Sequence, residues 1–594
     1  MADSPVKNAD GPLGVTVKLN GTALADTVGV VSIRVETELN RVPEAVVTLA
    51  DGSVAEQEFP LTDADTAKPG SEIEISAQFG SNTAQTLFTG IVTGLRLRIR
   101  SGSGGQLELS CRDKAVKLTG LCRTAVWSKT KDSDAMSALV QAAGLTADIA
   151  ATDGPEADLV QHDCPDWDFL RLLADRNGLV LAVDAGKITA AAPDPSAAAK
   201  LTLTLGDDVL DFDARLDTVG LEKTVSVTGW DPAQQTATVQ TSDAVAAGAW
   251  GSSALSDLTG VTGDRTRSQT ASYAEGQVSL TSVAKARAAR VALAALQGRC
   301  SYPGSAAARP GDTVEIKGVG DRMGGTAYVA GITHELGDGH WTTTARLGLP
   351  QGWRSDGIGP GGAAAGGLVA PVPGLQPATV VALTDSGSEN PLSDSAMIKV
   401  SLPLSGDPPV EIWARYAQPY GSNGAGIQFL PEVGDEVVLG FFADDPAAPV
   451  ILGSLHGGKL ARTREATDGN DIKALTTRSG LEISFDDDKT VLTAKTPGGH
   501  SIVLSDDDTS VTVTDSTGNS IKMESSGVTV SSKGTLDLTA EGNITLSSSG
   551  GDVSVSGTNV TLSGDMGLTA KGGTSAELSA GGQTTVKGAM VMIN

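Results

Sequence analysis

The chain has 594 residues, of which 71 are acidic and 44 are basic, and its formal net charge is −27. Such an acidic chain repels phosphates, which excludes nucleic acid and anionic membranes as binding partners. Four cysteines in so long a chain exclude a disulfide scaffold. No apolar run reaches the length of about 18 residues that a membrane helix needs, and the first ten residues lack a secretory signal. We therefore expect a multidomain protein that is assembled in the cytoplasm.

Residues 1–110 alternate apolar and polar side chains, as half-buried strands do, in segments such as VTVKLNG, EIEISAQFG and QLELSCR. Turn residues separate these segments at short intervals. The pattern predicts a small β-barrel.

Residues 111–200 predict an α/β insert. The segment DSDAMSALVQAAGL favours a helix in which Ser133 or Asp134 is the N-cap and which Gly144 ends. The segment DWDFLRLLADRNGL favours a second helix.

This second helix is expected to have Asp166 as its N-cap and to end at Asn177 and Gly178. The residues that follow, LVLAVDAGKITAAA, alternate again. They predict a hairpin with its turn at 184–186.

Residues 201–353 return to the strand pattern and predict a second barrel with one Ala-rich helix, SVAKARAARVALAALQ. Residues 354–374 have no period and are rich in Gly, Ala and Pro, which predicts a linker. Five short strand patterns then occupy residues 375–460 and predict a small closed barrel of the OB type. Within that barrel we expect Trp413 to be a core anchor.

Residues 461–594 contain an internal repeat. After Phe485 there is no aromatic residue, and glycines recur from Gly518 to Gly588 at intervals of seven to nine residues. Between the glycines lie pairs of apolar residues two positions apart, such as Val528 and Val530. The pattern predicts about 14 short strands joined by tight turns.

Such a short strand has an apolar face of two or three side chains and cannot bury it alone, but stacked repeats bury their faces together. Either the chain coils on itself, or three chains intertwine and each contributes one wall of a narrow prism. The second arrangement leaves no open strand edges.

Motifs that would indicate catalysis or metal binding are weak. In HELGDGH the two histidines, His334 and His340, are six residues apart with glycines between them, which favours a turn over a zinc-binding helix. The cysteines Cys111, Cys122, Cys164 and Cys300 contain no C-x-x-C pair and are interpreted as free, partly buried thiols.

The aspartate triplets 486–488 and 506–508 lack the residue pattern of a calcium loop and are interpreted as acidic turns. Acidic flanks around the predicted OB strands disfavour nucleic-acid binding there. We therefore expect no catalytic residues, no cofactor and no metal: the protein is not expected to be an enzyme.

Three segments in this order resemble the VgrG spike proteins of contractile injection systems. They are DCPDWDFLRLLADRNGLVL (163–181), GIQFLPEVGDEVVLGFFADDPAAPVILGSLHGG (426–458) and the Gly-punctuated tail that ends in VMIN. The similarity in domain order covers nearly the whole chain.

The resemblance implies a mainly β fold with two hub-like β-barrels (1–110 and 201–353), the α/β insert (111–200), the linker (354–374), an OB-fold (375–460) and a triple-stranded, intertwined β-helix needle with its tip (461–594). It implies a homotrimer whose hub sits on a hexameric inner tube protein and contacts baseplate proteins. It also implies a particle that is assembled in a bacterium, is delivered to or released into the extracellular space, and pierces a target envelope.

At the needle end the resemblance implies a PAAR-type tip protein, bound by Ala589, Met590, Val591, Met592, Ile593 and Asn594. No lysozyme domain fits between the barrel and the needle, and no effector domain is expected after Asn594, so cargo would come as a separate protein. Iron-binding histidines at the tip are not expected, because the last histidine is His500.

Two other interpretations stay open at this stage. One is a surface adhesin-like β-solenoid stalk, which would need a secretion signal or an anchor. The other is a hydrolase that uses the His334 region, for which zinc analysis is the discriminating measurement. The sequence does not say which contractile system, cargo or target cell is served.

Overall fold

The computed structural model describes residues 4–5, 11–53, 56–100, 104–154, 156–231, 236–244, 251, 253, 255–271, 279–356, 371–384 and 397–593. The chain divides into two compact units. The first consists of Met1–Leu430 with Val438–Gly453, and the second of Pro431–Val437 with Ser454–Asn594. Most of the predicted linker, residues 357–370, lies outside the described residues.

Four α-helices occur among the described residues: α1 (Asp132–Ala142), α2 (Asp166–Arg176), α3 (Leu255–Val261) and α4 (Leu280–Ala294). The range predicted as the first barrel, together with the two residues after it, contains seven strands: β1 (Leu13–Leu19), β2 (Thr22–Ala23), β3 (Val30–Glu38), β4 (Glu44–Ala50), β5 (Glu72–Phe79), β6 (Gln85–Arg100) and β7 (Gly104–Arg112). The insert contains β8 (Cys122–Thr130), β9 (Thr146–Ile149), β10 (Ala157–Pro165), β11 (Val180–Asp184) and β12 (Lys187–Ala191).

The remaining strands of the first unit fall into two groups. The group before the linker comprises β13 (Leu201–Thr204), β14 (Asp211–Leu216), β15 (Thr224–Asp231), β16 (Thr236–Asp243), β17 (Thr266–Ala271), β18 (Leu296–Pro303), β19 (Thr313–Lys317), β20 (Gly325–Gly337) and β21 (His340–Leu347). The group after it comprises β22 (Gln376–Ala382), β23 (Met397–Leu402), β24 (Val410–Tyr416), β25 (Gly421–Ser422), β26 (Ala425–Gly426), β27 (Glu436–Phe441), whose first two residues belong to the second unit, and β28 (Pro449–Ser454).

The second unit carries a row of five-residue strands. They are β29 (Ile472–Thr476), β30 (Glu482–Asp486), β31 (Val491–Lys495), β32 (Ser501–Ser505), β33 (Ser510–Thr514), β34 (Ser520–Glu524) and β35 (Gly527–Ser531). The mainly β class predicted from the sequence is therefore confirmed.

The two barrels predicted for 1–110 and 201–353 are not separate sheets. Thirteen strands form one sheet with the path β14-β18-β21-β20-β3-β4-β7-β6-β5-β1-β2, to which β13 and β19 are attached through β20. The joint is the antiparallel pairing of β3 with β20, in which Arg34 lies opposite Glu335. Both strands alternate in the same way as their neighbours, so local patterns predict the strands but not which strand lies beside which.

One face of this sheet is apolar and buried. Ile33, Val47 and Leu109 lie side by side on β3, β4 and β7 and are at most 1% exposed. On the opposite face, Glu108, Thr48 and Ser32 form an equivalent row. The alternation read from the sequence is thus the alternation between these two faces.

The helix boundaries differ slightly from the prediction. Ser133 lies inside α1, and its amide donates to the Thr152 hydroxyl, so a distant threonine replaces the predicted local cap. Asp166 is the first residue of α2, not its cap, because its carboxylate accepts hydrogen bonds from Arg123 and Gln161. The predicted stops are confirmed.

At these stops, Gly144 and Gly178 adopt positive φ angles of 73° and 72°. The hairpin with its turn at 184–186 is also confirmed, as β11 and β12. Among the described residues between 201 and 353 there are two α-helices, not the one that was predicted, because the short α3 precedes α4.

Buried charges tie α2, α4 and residues 353–356 together. Asp175, only 2% exposed, accepts a hydrogen bond of 2.9 Å from Arg290 of α4 and one of 2.8 Å from the amide of Arg354. Next to them, Arg287 forms two hydrogen bonds to Asp356, of 2.6 and 2.7 Å. Residues 353–356 are therefore held to α2 by a backbone hydrogen bond and to α4 by an ion pair.

The range predicted as an OB-fold contains a closed five-stranded barrel, β22-β23-β24-β28-β27, as expected. The role given to Trp413 was wrong. It is half-buried beside Lys399, whose ammonium lies 5.9 Å from the ring centre, whereas the next residue, Ala414, is fully buried. Since neighbouring residues of a strand face opposite sides, Ala414 takes the inward position.

No helix among the described residues is long and apolar enough to cross a membrane.

Candidate functional site

The strands of the second unit form one antiparallel sheet in chain order, β29 to β35. Tight turns set this order. On one side the equally spaced Gly480, Gly499 and Gly518 adopt φ angles of 83°, 92° and 92°, which glycine tolerates best. The backbone amide of each of these glycines donates a hydrogen bond to the carbonyl three residues earlier, at Thr477, Thr496 and Asp515. The sheet is therefore a row of hairpins with a constant period.

The turns on the other side hold the two aspartate triplets. Asp486 accepts a hydrogen bond from the amide of Lys489, and Ser505 accepts one from the amide of Asp508. Thr490 and Thr509 follow with φ angles of 54° and 46°. The interpretation of both triplets as acidic turns is confirmed.

The register places most large apolar side chains of this sheet on one face. We define the apolar face by Leu475, Ile483, Phe485, Leu492, Ala494, Ile502, Leu504, Val511, Val513, Ile521, Met523, Val528 and Val530. Directly opposite residues of paired strands share a face, and Ile483, Ala494, Ile502, Val513, Ile521 and Val530 form one such continuous row. The other face carries mainly Ser, Thr and Lys, for example Ser484, Thr493, Thr512 and Lys522.

The apolar face is open in the single chain. Phe485 is 45% exposed, Ile502 46% and Val528 68%. At about 25 cal/mol per Å² of apolar surface, an uncovered face of this size costs several kcal/mol relative to a covered one. A contiguous exposed apolar surface is typical of an interface.

After Ser531 the described residues contain no further strand. Of the about 14 strands predicted from Ile472 onwards, seven are formed in the described residues of one chain, and the others stay a prediction. The apolar pairs of the repeat point into solvent instead: Leu538, Leu546 and Leu562 are 68%, 73% and 72% exposed. One chain offers these short strands no neighbour with which to pair.

The predicted tip residues lie at the end of this exposed segment. Met590, Val591, Met592 and Ile593 are 79%, 49%, 77% and 91% exposed, and Ala589 is exposed as well. Asn594 lies outside the described residues. Their role in binding a tip protein stays a prediction.

His334 and His340 are positioned by a hairpin, as expected from the glycines between them. Asp338 and Gly339 form the turn between β20 and β21, with φ angles of 51° and 76°. His334 is buried, and its Nδ1 lies 2.9 Å from the Thr343 hydroxyl and 3.3 Å from the Trp341 indole nitrogen. Burial lowers the pKa of His334 to about 3. The side chain is therefore neutral at physiological pH and is part of the core.

The four cysteines are thiols, three of which are buried: Cys111, Cys164 and Cys300. Burial raises the pKa of Cys111 and of Cys300 to about 12, which disfavours the reactive thiolate. Cys122 is exposed. Within the parts of the chain that the structure describes, no group of three or more His, Cys, Asp or Glu side chains is arranged to hold a metal ion.

Sequence reasoning found the repeat but missed the longer period of the hairpins. The signal was present in the equal spacing of Gly480, Gly499 and Gly518. The shorter glycine intervals after Gly518 obscured this spacing, because the hairpins with a period of 19 residues are followed directly by the repeat of seven to nine residues.

Several solved structures are similar to this chain at low identity. A 43 kDa tail protein of prophage MuSo2 from Shewanella oneidensis is 13% identical, covers 57% of this chain and 99% of its own, and has a TM-score of 0.43. An E. coli component of the type VI secretion system is 14% identical, covers 74% of this chain and 99% of its own, and has a TM-score of 0.35. A Francisella PdpA–VgrG complex contains a chain that is 9% identical, covers 84% of this chain and 79% of its own, and has a TM-score of 0.36. No curated protein matches the sequence.

Two family models match the sequence, and they lie in succession along the chain. Residues 376–456 match the type VI secretion system/phage-baseplate injector OB domain, which coincides with the closed barrel. Residues 9–338, more than half of the chain, match the Alg8 N-terminal domain. The resemblance to injection-system spikes is thereby confirmed: the chain belongs to the family of the Alg8 N-terminal domain and contains an OB domain of the type VI secretion system/phage-baseplate injector type.

Proposed function

We propose that three copies of this chain form the central spike of a contractile injection machine, with a hub, an OB-fold collar and a needle that pierces the target envelope. The observation that carries the proposal is the apolar face of β29–β35, which one chain leaves open. It is the only long row of apolar side chains in the described part of the second unit that already has sheet geometry.

The dimensions of the apolar face favour three copies. Each strand contributes two inward side chains, so the face is only about 7 Å wide along the strand direction, from a rise of ~3.4 Å per residue. Two such narrow sheets packed face to face leave their sides open to water. Three sheets close a triangular prism in which every apolar side chain is covered. The core of such a prism is narrow, which fits the absence of aromatic residues after Phe485.

The segment after Ser531 then becomes strands by intertwining. Its apolar pairs recur about every eight residues, which is one short strand and one turn. In a trimer each strand gains neighbours from the other two chains, and the backbone groups that one chain leaves without ladder partners become paired. This part of the needle is the intertwined β-helix expected from the sequence.

The OB-fold and the hub are the contact regions that remain. Around the β25–β26 hairpin, Tyr420, Ile427 and Phe429 are 55%, 40% and 53% exposed, which favours contacts between barrels of the three chains. In the hub, the path from β14 to β6 contains two sets of four strands, joined at β20 and β3. Three copies present six such sets, which suits a hexameric inner tube protein, and baseplate proteins and effector cargo are the further partners we expect.

The native mass in solution tests this proposal. One chain has a mass of 60.1 kDa, and light scattering coupled to size-exclusion chromatography is expected to give three times that mass. A folded monomer would contradict the proposal and would favour repeats that coil on themselves. We further propose assembly in the bacterial cytoplasm, followed by delivery to or release into the extracellular space.

The tip residues Ala589–Asn594 are proposed to bind a PAAR-type tip protein. Three copies bring three sets of Val591, Met592 and Ile593 together as a small apolar platform. We expect Met592→Asp to abolish capture of a PAAR-type protein in a pull-down, because the platform then carries three carboxylates, while the trimer persists. Thr585→Asp, at a polar position of the same segment, is the matched control and is expected to retain capture. Retention by Met592→Asp would contradict this role.

A further inference from the structure

A cavity of about 330 Å³ lies in the hub where strands of three regions meet. Its walls come from β3 and β6, from the β11–β12 hairpin of the insert, from β20, and from the loop between β18 and β19. That loop is held to the start of β6, because the amide of Ala306 donates a hydrogen bond of 2.8 Å to the side chain of Gln85. Ligand sites in proteins begin at about this volume, ~300 Å³.

Most of the deeply buried lining of the cavity is apolar. Val183, Ala308 and Ile332 are buried, and the half-buried Leu87 and Pro310 extend the apolar wall. The volume corresponds to about ten water molecules at ~30 Å³ each, and an apolar group that displaces water from such a wall gains free energy. The cavity therefore favours a ligand with an apolar body.

One polar side chain belongs to this buried part of the lining. It is His334, which is only 5% exposed. Its Nδ1 is already used, since the Thr343 hydroxyl and the indole nitrogen of Trp341 lie 2.9 and 3.3 Å away. An indole N–H can only donate, so Nδ1 is the acceptor, and the neutral ring carries its proton on Nε2. Burial lowers the pKa of His334 to about 3 and so keeps the ring neutral.

Nε2 of His334 has no hydrogen-bond partner among the described residues. A buried N–H group without a partner is costly, and a ligand that accepts from it removes that cost. The cavity thus offers a ligand one buried donor in an apolar surrounding, which is the usual composition of a small-molecule site.

The charged groups of the lining are already paired. Their ion pairs are Arg309 with Asp184, Lys187 with Asp148, and Glu38 with Arg41 and Arg346. A charged ligand would find no free counterion in the lining, and burying an unpaired charge is unfavourable. The cavity therefore selects an uncharged ligand.

We propose that this cavity binds a small uncharged carbonyl compound, whose apolar body contacts Val183, Ala308 and Ile332 and whose carbonyl oxygen accepts a hydrogen bond from Nε2 of His334. A carbonyl oxygen satisfies the unpaired N–H and brings no polar hydrogen that would itself need a partner. The site gives the hub a small-molecule ligand in addition to the protein partners proposed above. All the lining residues belong to one chain and to its first unit, so the inference does not depend on the trimer.

Three probes of similar size test the chemistry of the site. Acetophenone has the proposed carbonyl group, α-methylstyrene has C=CH₂ in the place of C=O, and benzoate carries a charge. Dissociation constants are measured by ligand-observed NMR titration of the full chain. We expect α-methylstyrene to bind at least about tenfold more weakly than acetophenone, because it leaves Nε2 without a partner, and benzoate not to bind measurably.

Two neighbouring alanines provide a matched pair of variants that locates the site. Ala306 lines the cavity, whereas Ala307 is exposed and is not part of the lining. Both take part in the hydrogen bonds of the loop through their backbone amides, which a new side chain leaves in place. Ala306→Phe fills the cavity and is expected to weaken acetophenone binding at least about tenfold, while Ala307→Phe is expected to leave it unchanged.

A third variant tests the hydrogen bond itself. His334→Asn keeps a polar group near the position of Nδ1, close to Thr343 and Trp341, but its side chain is too short to reach the position of Nε2. We expect this variant to bind acetophenone and α-methylstyrene equally. A retained preference for acetophenone would show that another group donates to the carbonyl and would overturn the role given to His334.

The other outcomes are equally decisive. Equal binding of acetophenone and α-methylstyrene by the unmodified chain would overturn the proposed ligand class, and binding that survives Ala306→Phe would overturn the site. If none of the probes binds, the cavity holds water only and the inference fails. The native mass is not affected by any of these results, so failure of this inference is distinguishable from failure of the trimeric spike.

Discussion

Val513→Asp is expected to lower the native mass of the protein from that of three chains to that of one, 60.1 kDa. Val513 lies in the middle of the apolar face, between Ile502 on β32 and Ile521 on β34. In the proposed trimer, three copies of this side chain meet in a dry core. The substitution removes apolar burial worth about 1.5–3 kcal/mol per chain and places three carboxylates where their desolvation costs several kcal/mol each.

The chain offers a matched control one residue away. Thr512 lies on the same strand but on the polar face, opposite Val503 and Lys522. Thr512→Asp introduces the same group into the same strand, and because Val and Thr are both β-branched, the loss of strand propensity is similar in the two variants. We expect Thr512→Asp to remain a trimer in size-exclusion chromatography with light scattering. If Val513→Asp is also a trimer, the apolar face is not the surface that the copies bury.

Local patterns in the sequence predict the features that local physics decides. The stops of α1 and α2 are correct because Gly144 and Gly178 adopt the left-handed conformation that ends a helix. The hairpin between β20 and β21 is correct because Asp338 and Gly339 form its turn. In each case the deciding residues are neighbours in the chain.

Features decided by distant residues could not be predicted in this way. Thr152, which replaces the local cap of α1, lies beyond the end of that helix in the chain. The pairing of β3 with β20 joins residues 32–38 to residues 331–337, and both strands have the same alternating pattern as their many neighbours. In the candidate site, the periodicity identifies which side chains share a face but not whether the same chain or another one covers it.

Asp175→Ala is expected to destabilise the first unit by about 3–5 kcal/mol, because it leaves a buried guanidinium without its counterion. Asp175 accepts hydrogen bonds from Arg290 and from the amide of Arg354, and a nitrogen of Arg171 lies 3.7 Å from it. Burial lowers the pKa of Arg290 and of Arg171, and the negative charge of Asp175 opposes that effect. Since alanine favours helices, the loss would occur despite a gain in the helix propensity of α2.

Urea unfolding followed by tryptophan fluorescence measures this loss. All seven tryptophans lie between residues 127 and 413, so the signal reports on the first unit and not on the needle. The control is Asp184→Ala, which removes an ion pair with Arg309 in which the side chains are 67% and 60% exposed. Exposed pairs contribute at most about 1 kcal/mol, so its unfolding midpoint should hardly move.

A conservative variant separates charge from packing. Asp175→Asn keeps the size of the side chain and an oxygen that accepts the hydrogen bond from the amide of Arg354, but it removes the counterion of Arg290. We expect it to lose more stability than Asp184→Ala and less than Asp175→Ala. Equal midpoints for Asp175→Ala and Asp184→Ala would mean that the buried pair does not hold α2, α4 and residues 353–356 together, and that apolar packing alone fixes the end of the hub.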